Sequence, residues 1–269
     1  PLINLIVTFF VSFSLGSNVV MGNAKGAKDH SRAEKILHTS MVLGLLSGIF
    51  VGLIGYFISP YILVWMNTPE GILKASTDYL QIYFLGLPFL MIYNYGSQVL
   101  RALGDSKRPL YILIISGLIN VACDFLFVIV FKLDVIGVAW ATVLSEVISA
   151  LLILLWLFLY KKSFVHLEWK KMKIDKNALC EILKIGIPSG LQGLGFCIPN
   201  VMIQSSLYTI TDYSIQGCKI NIYEIVAGSS ASSTIENYVF AFIDAFASAV
   251  TAFVGQNYGA CKKKNIHKI

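Results

Sequence analysis

An ionisable residue lies within one of the apolar stretches of this 269-residue sequence. Asp124 stands in the run Ile119–Phe125, and Asn120 precedes it by four residues, one turn earlier on the same helix face. A charged group deep in an apolar helix is costly and usually faces a cavity or a partner. A carboxylate beside an amide offers hard oxygen ligands, which suit a proton or a small cation such as sodium. Asp124 and Asn120 are therefore the first candidates for a functional site.

The next apolar stretch adds a hydroxyl group to these two residues. The short connection around residues 132–137 predicts that the two stretches are antiparallel neighbours, so positions equidistant from residue 133 lie at equal depth. Thr142 pairs with Asp124 in this scheme. We predict that Asp124, Asn120 and Thr142 form a site for a proton or a small cation. The alternative is a cluster of hydrogen bonds that only joins packed helices.

Four further residues are candidates for a substrate cavity or for gating: Asn94, Glu146, Pro199 and Asp244. Glu146 follows Thr142 by four residues and shares its helix face, and Asp244 lies deep in the last apolar stretch. Pro199 interrupts the preceding stretch, where a proline can let a membrane helix bend.

The elements that position these residues are predicted to be transmembrane helices. Hydrophobic residues make up 56% of the chain, charged residues only 13%, and the mean hydropathy is +0.72, whereas soluble domains carry about 25% charged residues. Aromatic residues such as Tyr79 and Tyr83 are predicted to form interface belts. We predict an all-α integral membrane protein, because lipid-facing backbone must satisfy its own hydrogen bonds. The predicted spans are residues 1–22, 36–58, 77–100, 110–131, 137–160, 183–208 and 226–254.

The basic residues predict how these spans are oriented. All but three of the 21 Lys and Arg residues fall in loops on one side of the predicted topology, the exceptions being Lys74, Lys132 and Lys219. Under the positive-inside rule this side is cytoplasmic. We expect a multi-pass protein of the bacterial inner (plasma) membrane, whose net charge of +6 reflects topology and contact with anionic lipid.

An internal repeat divides the chain. Gly22–Lys28 and Gly255–Cys261 both place a glycine, three residues and then Gly-Ala before a basic patch, with an offset of 233 residues. This offset spans the polar stretch 161–184. We predict an amino-terminal lobe of residues 1–160 that lacks its first helix, a cytoplasmic connector of residues 161–184, and the first two helices of a second lobe in residues 185–269. An intact parent would have about twelve helices.

Several function classes receive no support from the motifs. The sequence has no Gly-rich nucleotide loop, HExxH motif or nucleophile elbow, so we expect no enzyme activity. The cysteines and histidines lack metal-ligand spacing, so we expect no cofactor and no metal beyond a sodium ion at Asp124. The basic residues are divided among four loops, so nucleic acid is not an expected partner. We expect a monomer.

Five segments resemble motifs of the multidrug and toxic compound extrusion (MATE) family. The run Arg101–Pro109 resembles a cytoplasmic loop of that family, and the others resemble parts of its fifth, sixth, seventh and eighth helices. These others are Asn120–Asp124, Gly137–Thr142, Ile185–Pro188 and Gly255–Ala260. The resemblance covers the chain from the family's second helix to the end of its eighth.

This resemblance implies two six-helix lobes in a V, which export cationic or amphipathic drugs or toxins in exchange for sodium ions or protons. In one branch of the family the cation site lies in the amino-terminal lobe, and the matching residues here are Asn120, Asp124 and Thr142. The first-helix acid of that site would lie upstream of Pro1. The other branch has a Glu in its seventh helix, where this chain has the residues 194–196, Leu-Gly-Phe.

Two alternatives stay open at this stage. A flippase for lipid-linked oligosaccharides or polysaccharides, from the same superfamily, would share the helices and the repeat. The absence of Lys and Arg from the middle of the spans argues against its anionic substrate. The other alternative is that the chain is a fragment without activity of its own.

Overall fold

The computed structural model describes residues 2–65, 70–160, 164–207, 213–215, 218–220 and 222–266. Within these ranges the chain is almost entirely helical. The helices are α1 (Leu2–Gly26), α2 (His30–Trp65), α3 (Glu70–Ala102), α4 (Lys107–Asp124), α5 (Asp134–Leu159), α6 (Lys176–Leu207), α7 (Ile222–Gly259) and the short α8 (Lys263–Ile266). A π-helix, Phe125–Val130, continues α4 directly, and a 3₁₀ turn covers Trp169–Lys171. Two short strands, β1 (Tyr213–Ile215) and β2 (Cys218–Ile220), pair antiparallel between α6 and α7.

Each of the seven predicted spans coincides with one long helix, which confirms the all-α membrane architecture. The start of α6 and a short hairpin differ from the prediction. Helix α6 begins at Lys176, inside the predicted connector, because Asp175 Oδ1 accepts hydrogen bonds from the backbone N–H groups of Asn177 and Ala178 and so caps the helix. The β1–β2 hairpin was not predicted, and its short strands lie in the polar segment between two spans.

Helix α3 differs from the other long helices in its polarity. Six segments of the described residues are long and apolar enough to cross a membrane: Val7–Gly26, His30–Trp65, Lys107–Val130, Asp134–Leu159, Lys176–Pro199 and Ala231–Gly259. Helix α3 is not among them, although the sequence predicts a span there. It packs against α1, α2 and α5, so its polar residues contact protein more than lipid. A central helix can therefore be less apolar than its neighbours.

Glycines let α2 and α3 approach closely. Side chains at Gly48, Gly52 or Gly55 would collide with α3, at Pro88 in the first case and at Phe84 in the other two. Small residues at such spacing are the usual means by which membrane helices bring their backbones together. The polar residues of α3 are consequently held at fixed positions against α2.

The internal repeat is visible in how its two helices end. Lys28 and Cys261, which are 233 residues apart, both have a φ of 57°. Each is flanked by the same pair of bonds, Lys28 N to Lys25 O and Asp29 N to Ala24 O in α1, and their equivalents after α7. This is the Schellman pattern of helix ends, and the repeat therefore reproduces backbone geometry as well as residue types.

The two copies of the repeat also pack against each other. A side chain at Gly26 would overlap Gln256 O, and one at Gly259 would overlap Asn23 O. Gln256 Nε2 donates a hydrogen bond of 2.7 Å to Ala102 O. The end of α3 is thus tied to α7, while α7 lies directly on α1.

The loop after α3 is folded around a single arginine. Gly104, with a φ of +80°, ends α3, and Asp105 forms an ion pair with Arg108 and accepts a hydrogen bond from its backbone N–H. The Arg108 guanidinium lies 4.1 Å from the ring centroid of Trp156 and 4.5 Å from that of Tyr160, within the range of a cation–π interaction. The loop therefore joins the start of α4 to the end of α5.

The connector is docked onto the start of α2. Buried His38 contacts the carbonyl oxygen of Glu34 through Nδ1 at 2.7 Å and accepts a hydrogen bond from the backbone N–H of Glu168 through Nε2 at 3.1 Å. Accepting at Nε2 requires a neutral imidazole that carries its proton on Nδ1. Thr39 Oγ1 accepts a hydrogen bond from the backbone N–H of Asp175. These bonds hold residues 164–175 against α2.

Charged pairs reinforce this docking. Lys171 bridges Glu34 and Glu168 at 2.7 and 3.0 Å, and Arg32 pairs with Glu181 of α6 at 2.7 Å. Hydrogen bonding to Lys171 lowers the pKa of the Glu168 carboxyl group below its usual range. The basic segments that the sequence assigns to one side of the membrane thus meet at one end of the helix bundle.

Candidate functional site

Asp124 lies where the regular α-helix of α4 ends and the π-helix begins. Its Oδ1 atom is buried and has no hydrogen-bond partner in the described part of the chain. π-helical turns within longer helices are frequent at functional sites, because the extra residue disturbs the regular ladder of bonds. A buried carboxylate oxygen without a partner requires a ligand or a proton. The geometry around Asp124 therefore suits the chemistry expected from its sequence.

Thr142 and Asn120 lie on the helices on either side of the α4–α5 contact. Thr142 Oγ1 donates its hydrogen bond to Val138 O of its own helix at 3.0 Å. Its oxygen lone pairs stay able to accept a proton or to bind a cation. Gly137 packs against Phe127 of the π-helix, which brings α5 close to the preceding segment. The three-residue coupling site stays a prediction, since the described contacts include no bond among its members.

Glu146 is the second buried carboxylate of this lobe. Its exposed fraction is 8%, and its Oε2 atom has no hydrogen-bond partner among the described residues. A side chain at Gly86 of α3 would overlap this oxygen, so the carboxylate lies directly against the α3 backbone. Tyr83 of α3 is close enough to Glu146 for an electrostatic interaction. Tyr79 is close enough to interact in this way with both Asp124 and Glu146. The structure thus places Tyr79 near both acids and Tyr83 near Glu146.

These tyrosines were predicted to lie in an interface belt, which stays a prediction, and the structure adds their position beside the acids. Tyr79 and Tyr83 are half-buried and stack with ring centroids 6.5 Å apart, on the side of α3 that faces the two carboxylates. Their spacing of four residues, followed three residues later by Gly86, puts all three on one helix face. That spacing is the sequence signal that could have identified them.

The remaining candidates lie apart from this group. Asn94 Nδ2 donates a hydrogen bond to Leu90 O of its own helix at 2.9 Å. Pro199 lies within the continuous helix α6, and its side chain is exposed. Asp244 belongs to residues 231–247 of α7, which are all exposed. Their roles in a cavity or in gating stay predictions.

The ligand chemistry of the described residues is that of oxygen atoms. Among these residues no three His, Cys, Asp or Glu side chains come together as a metal-binding group. The predicted site of Asp124, Asn120 and Thr142 would supply carboxylate, amide and hydroxyl oxygens, which suit a proton or a weakly held hard cation. Such an ion would be cargo and not a permanent part of the protein.

Comparison with known proteins identifies relatives along the whole chain. Residues 1–126 match the family model MatE. "Probable multidrug resistance protein YoeA" of Bacillus subtilis is 31% identical over 97% of this chain and 55% of its own length. "Multidrug export protein MepA" of Staphylococcus aureus is 26% identical over 80% of this chain and 48% of its own length. The chain therefore spans about half the length of the curated relatives it matches.

Solved structures agree with the fold. An outward-facing multidrug resistance MATE family transporter covers the whole chain with a TM-score of 0.83 at 21% identity, the chain corresponding to 57% of that structure. A MOP superfamily transporter from Pyrococcus furiosus, whose binding pocket of reverse polarity is described as suggesting a different function, gives a TM-score of 0.87 at 22% identity, with the same coverage. At such identities the likeness shows the fold alone.

The family match, the relatives and the fold agree with the motifs around Asp124 and Arg108. The chain is a multi-pass membrane protein whose family-model match, curated relatives and structural neighbours are those of MATE transporters.

Proposed function

We propose that the transporter formed with this chain exports cationic or amphipathic small molecules in exchange for sodium ions or protons. The observation that carries the proposal is the buried, unpartnered Oδ1 of Asp124 at the junction of α4 and the π-helix. The relatives named as multidrug resistance and multidrug export proteins support the substrate class.

Asp124 acts in this proposal together with Asn120 and Thr142. Binding of an ion or proton at Asp124 changes the charge at the α4–α5 contact and thereby the packing of these two helices. A ligand shifts a conformational equilibrium only by binding the two states with different affinity. The coupling ion and the exported substrate therefore favour opposite states of the same helices.

The architecture we propose follows the same division as the sequence. Residues 1–160 form part of one lobe, 161–184 connect, and 185–269 begin the second lobe, with the basic loops in the cytoplasm of a bacterium. The ends of α1 and α7 pack closely at Gly26 and Gly259, and we propose that this contact closes the basic end of the bundle. Substrate would be released from the opposite end while this contact persists.

Efflux of ethidium or a fluoroquinolone from a pump-deficient bacterium tests the proposal. The cells express the full open reading frame that encodes this chain, and the sodium and proton gradients are varied separately. Efflux that depends on one of the gradients supports antiport and identifies the ion. Absence of efflux of any cationic dye, despite good membrane expression, refutes it and favours the flippase.

A further inference from the structure

Glu146 is buried without any charged partner in the described part of the chain. Its exposed fraction is 8%, Oε2 accepts no hydrogen bond, and none of the described ion pairs involves it. An isolated ionised carboxylate is expensive to bury, so such a group has to be neutralised or stabilised. An uncharged side chain could pack α5 against α3 at a lower free-energy cost of burial, so packing alone does not explain a carboxylate here.

Among the described residues, no ion pair links a Lys or Arg side chain to Glu146. The α3 groups near it are Tyr79 and Tyr83, and Tyr79 also lies near Asp124 of α4. The π-helix, with the sequence Phe-Leu-Phe-Val-Ile-Val, contributes only apolar side chains. Two acids and two phenols thus occupy one region of the lobe, without a Lys or Arg among them.

The α3 backbone makes room for this carboxylate. A side chain at Gly86 would overlap Glu146 Oε2 and would approach Val143 to 3.1 Å. The oxygen therefore lies where any other residue at position 86 would have a Cβ atom. This close contact leaves little space for the several oxygen ligands that a sodium ion needs, whereas a proton needs none of them.

We propose that Glu146 is a second coupling residue, which takes up a proton from water on one side of the membrane and releases it to water on the other during each transport cycle. This inference rests on the proposed antiport function. In it, Asp124 binds the first ion and Glu146 carries an additional proton, and the two acids interact through Tyr79. Protonation of Glu146 removes a charge from the α3–α5 contact, which lets these helices repack between the two states.

The largest substrate concentration ratio that the transporter can maintain shows how many protons it exchanges for each substrate molecule. At zero membrane potential, each proton exchanged multiplies the limiting ratio of substrate concentrations by about tenfold per unit of pH difference, or about 1.4 kcal/mol. Glu146→Gln is neutral at every pH, so we expect it to lower this ratio by about tenfold per pH unit. The Asp124 step still operates in this variant, and substrate transport therefore continues.

The experiment uses the transporter purified from the full open reading frame and reconstituted in vesicles, with the membrane potential clamped at zero. Wild type, Glu146→Gln and the control Glu181→Gln are compared at two imposed pH differences. Glu181 forms a surface ion pair with Arg32, which is worth little, so the control should match wild type. A Glu146→Gln ratio equal to that of wild type would overturn the inference. A wild-type protein that moves no substrate would instead contradict the proposed function.

A second readout does not need transport. Dicyclohexylcarbodiimide reacts with protonated carboxyl groups in apolar surroundings, and mass spectrometry locates the adduct. We expect an adduct at Glu146 that forms faster at low pH and is absent from Glu146→Gln. Gly86→Ala, which displaces the carboxylate, should change the labelling rate of Glu146 relative to the rate in wild type. Failure of Glu146 to react in the folded wild-type protein at any pH would contradict a protonated state.

Discussion

The contact between α1 and α7 predicts that the two glycines of each repeat copy differ in importance. A Cβ atom at Gly22 would meet α7 at 3.5 Å, an ordinary contact, whereas one at Gly26 would overlap Gln256 O and approach Ala260 N to 2.9 Å. The same contrast holds on α7, where a Cβ at Gly255 is 3.5 Å from Val19 O. Gly26→Ala and Gly22→Ala are therefore matched substitutions that differ in one steric contact.

The expected magnitudes follow from this contrast. Replacing Gly by Ala inside a helix stabilises it by about 0.5–1 kcal/mol, which applies to Gly22 and less to Gly26, the last residue of α1. Overpacking at Gly26 costs about 1–3 kcal/mol, because two backbones would have to separate. Separation would also strain the bond from Gln256 to Ala102 O. We expect Gly26→Ala to be less stable than Gly22→Ala by about 1–3 kcal/mol.

Thermal unfolding in detergent, followed by size-exclusion chromatography after heating, measures this difference. Gly117→Ala of α4 is a further control, since a Cβ there would meet nothing within 4 Å. Equal midpoints for Gly22→Ala and Gly26→Ala would refute the close approach of α1 and α7.

Two further predictions concern the docked connector. His38→Ala removes the acceptor of the Glu168 backbone N–H, which should destabilise the docking of the connector by about 1–3 kcal/mol. Proteolysis between residues 164 and 175 should then be faster. His166 is more exposed, so His166→Ala should have a smaller effect. The pKa of Asp175 is lowered because its carboxylate accepts a hydrogen bond from the Ala178 backbone N–H. The ionised carboxylate therefore stabilises the folded protein fully above ~pH 4, and this stabilisation is lost as the pH falls through the lowered pKa. Thermal midpoints measured between pH 3 and pH 7 should show this loss in wild type, and an unchanged pH profile in Asp175→Asn would contradict it.

The fold was largely predictable because membrane spans can be recognised in a sequence by their length and hydrophobicity. The repeat at Gly26 and Gly259 predicted related helix ends, and both ends share a left-handed residue at Lys28 and Cys261. The start of α6 was placed too late, because apolarity marks where a helix enters the membrane and not where its cap lies. Asp175, the actual cap, lies in a polar segment that hydropathy assigns to a loop.

The candidate site was predictable only in part. An acid in an apolar stretch is visible in the sequence, and the Oδ1 atom of Asp124 is buried. The contribution of α3 was not visible, since Tyr79 and Tyr83 also fit a lipid interface, and only the packing of α3 on α5 shows their orientation. The sequence likewise does not show why position 86 is a glycine, whereas the structure places the Glu146 carboxylate directly against it.

Substitution of Asp124 tests the central claim of ion-coupled export most directly. Drug efflux is measured in cells that express the full open reading frame with Asp124→Asn, beside the matched variant Asp134→Asn at the exposed start of α5. Position 134 has a φ of 47°, which Asn tolerates as well as Asp does, so this control should fold and export normally. We expect Asp124→Asn to abolish gradient-driven efflux at normal membrane expression. Unimpaired, ion-dependent efflux by Asp124→Asn would contradict the role of this carboxylate.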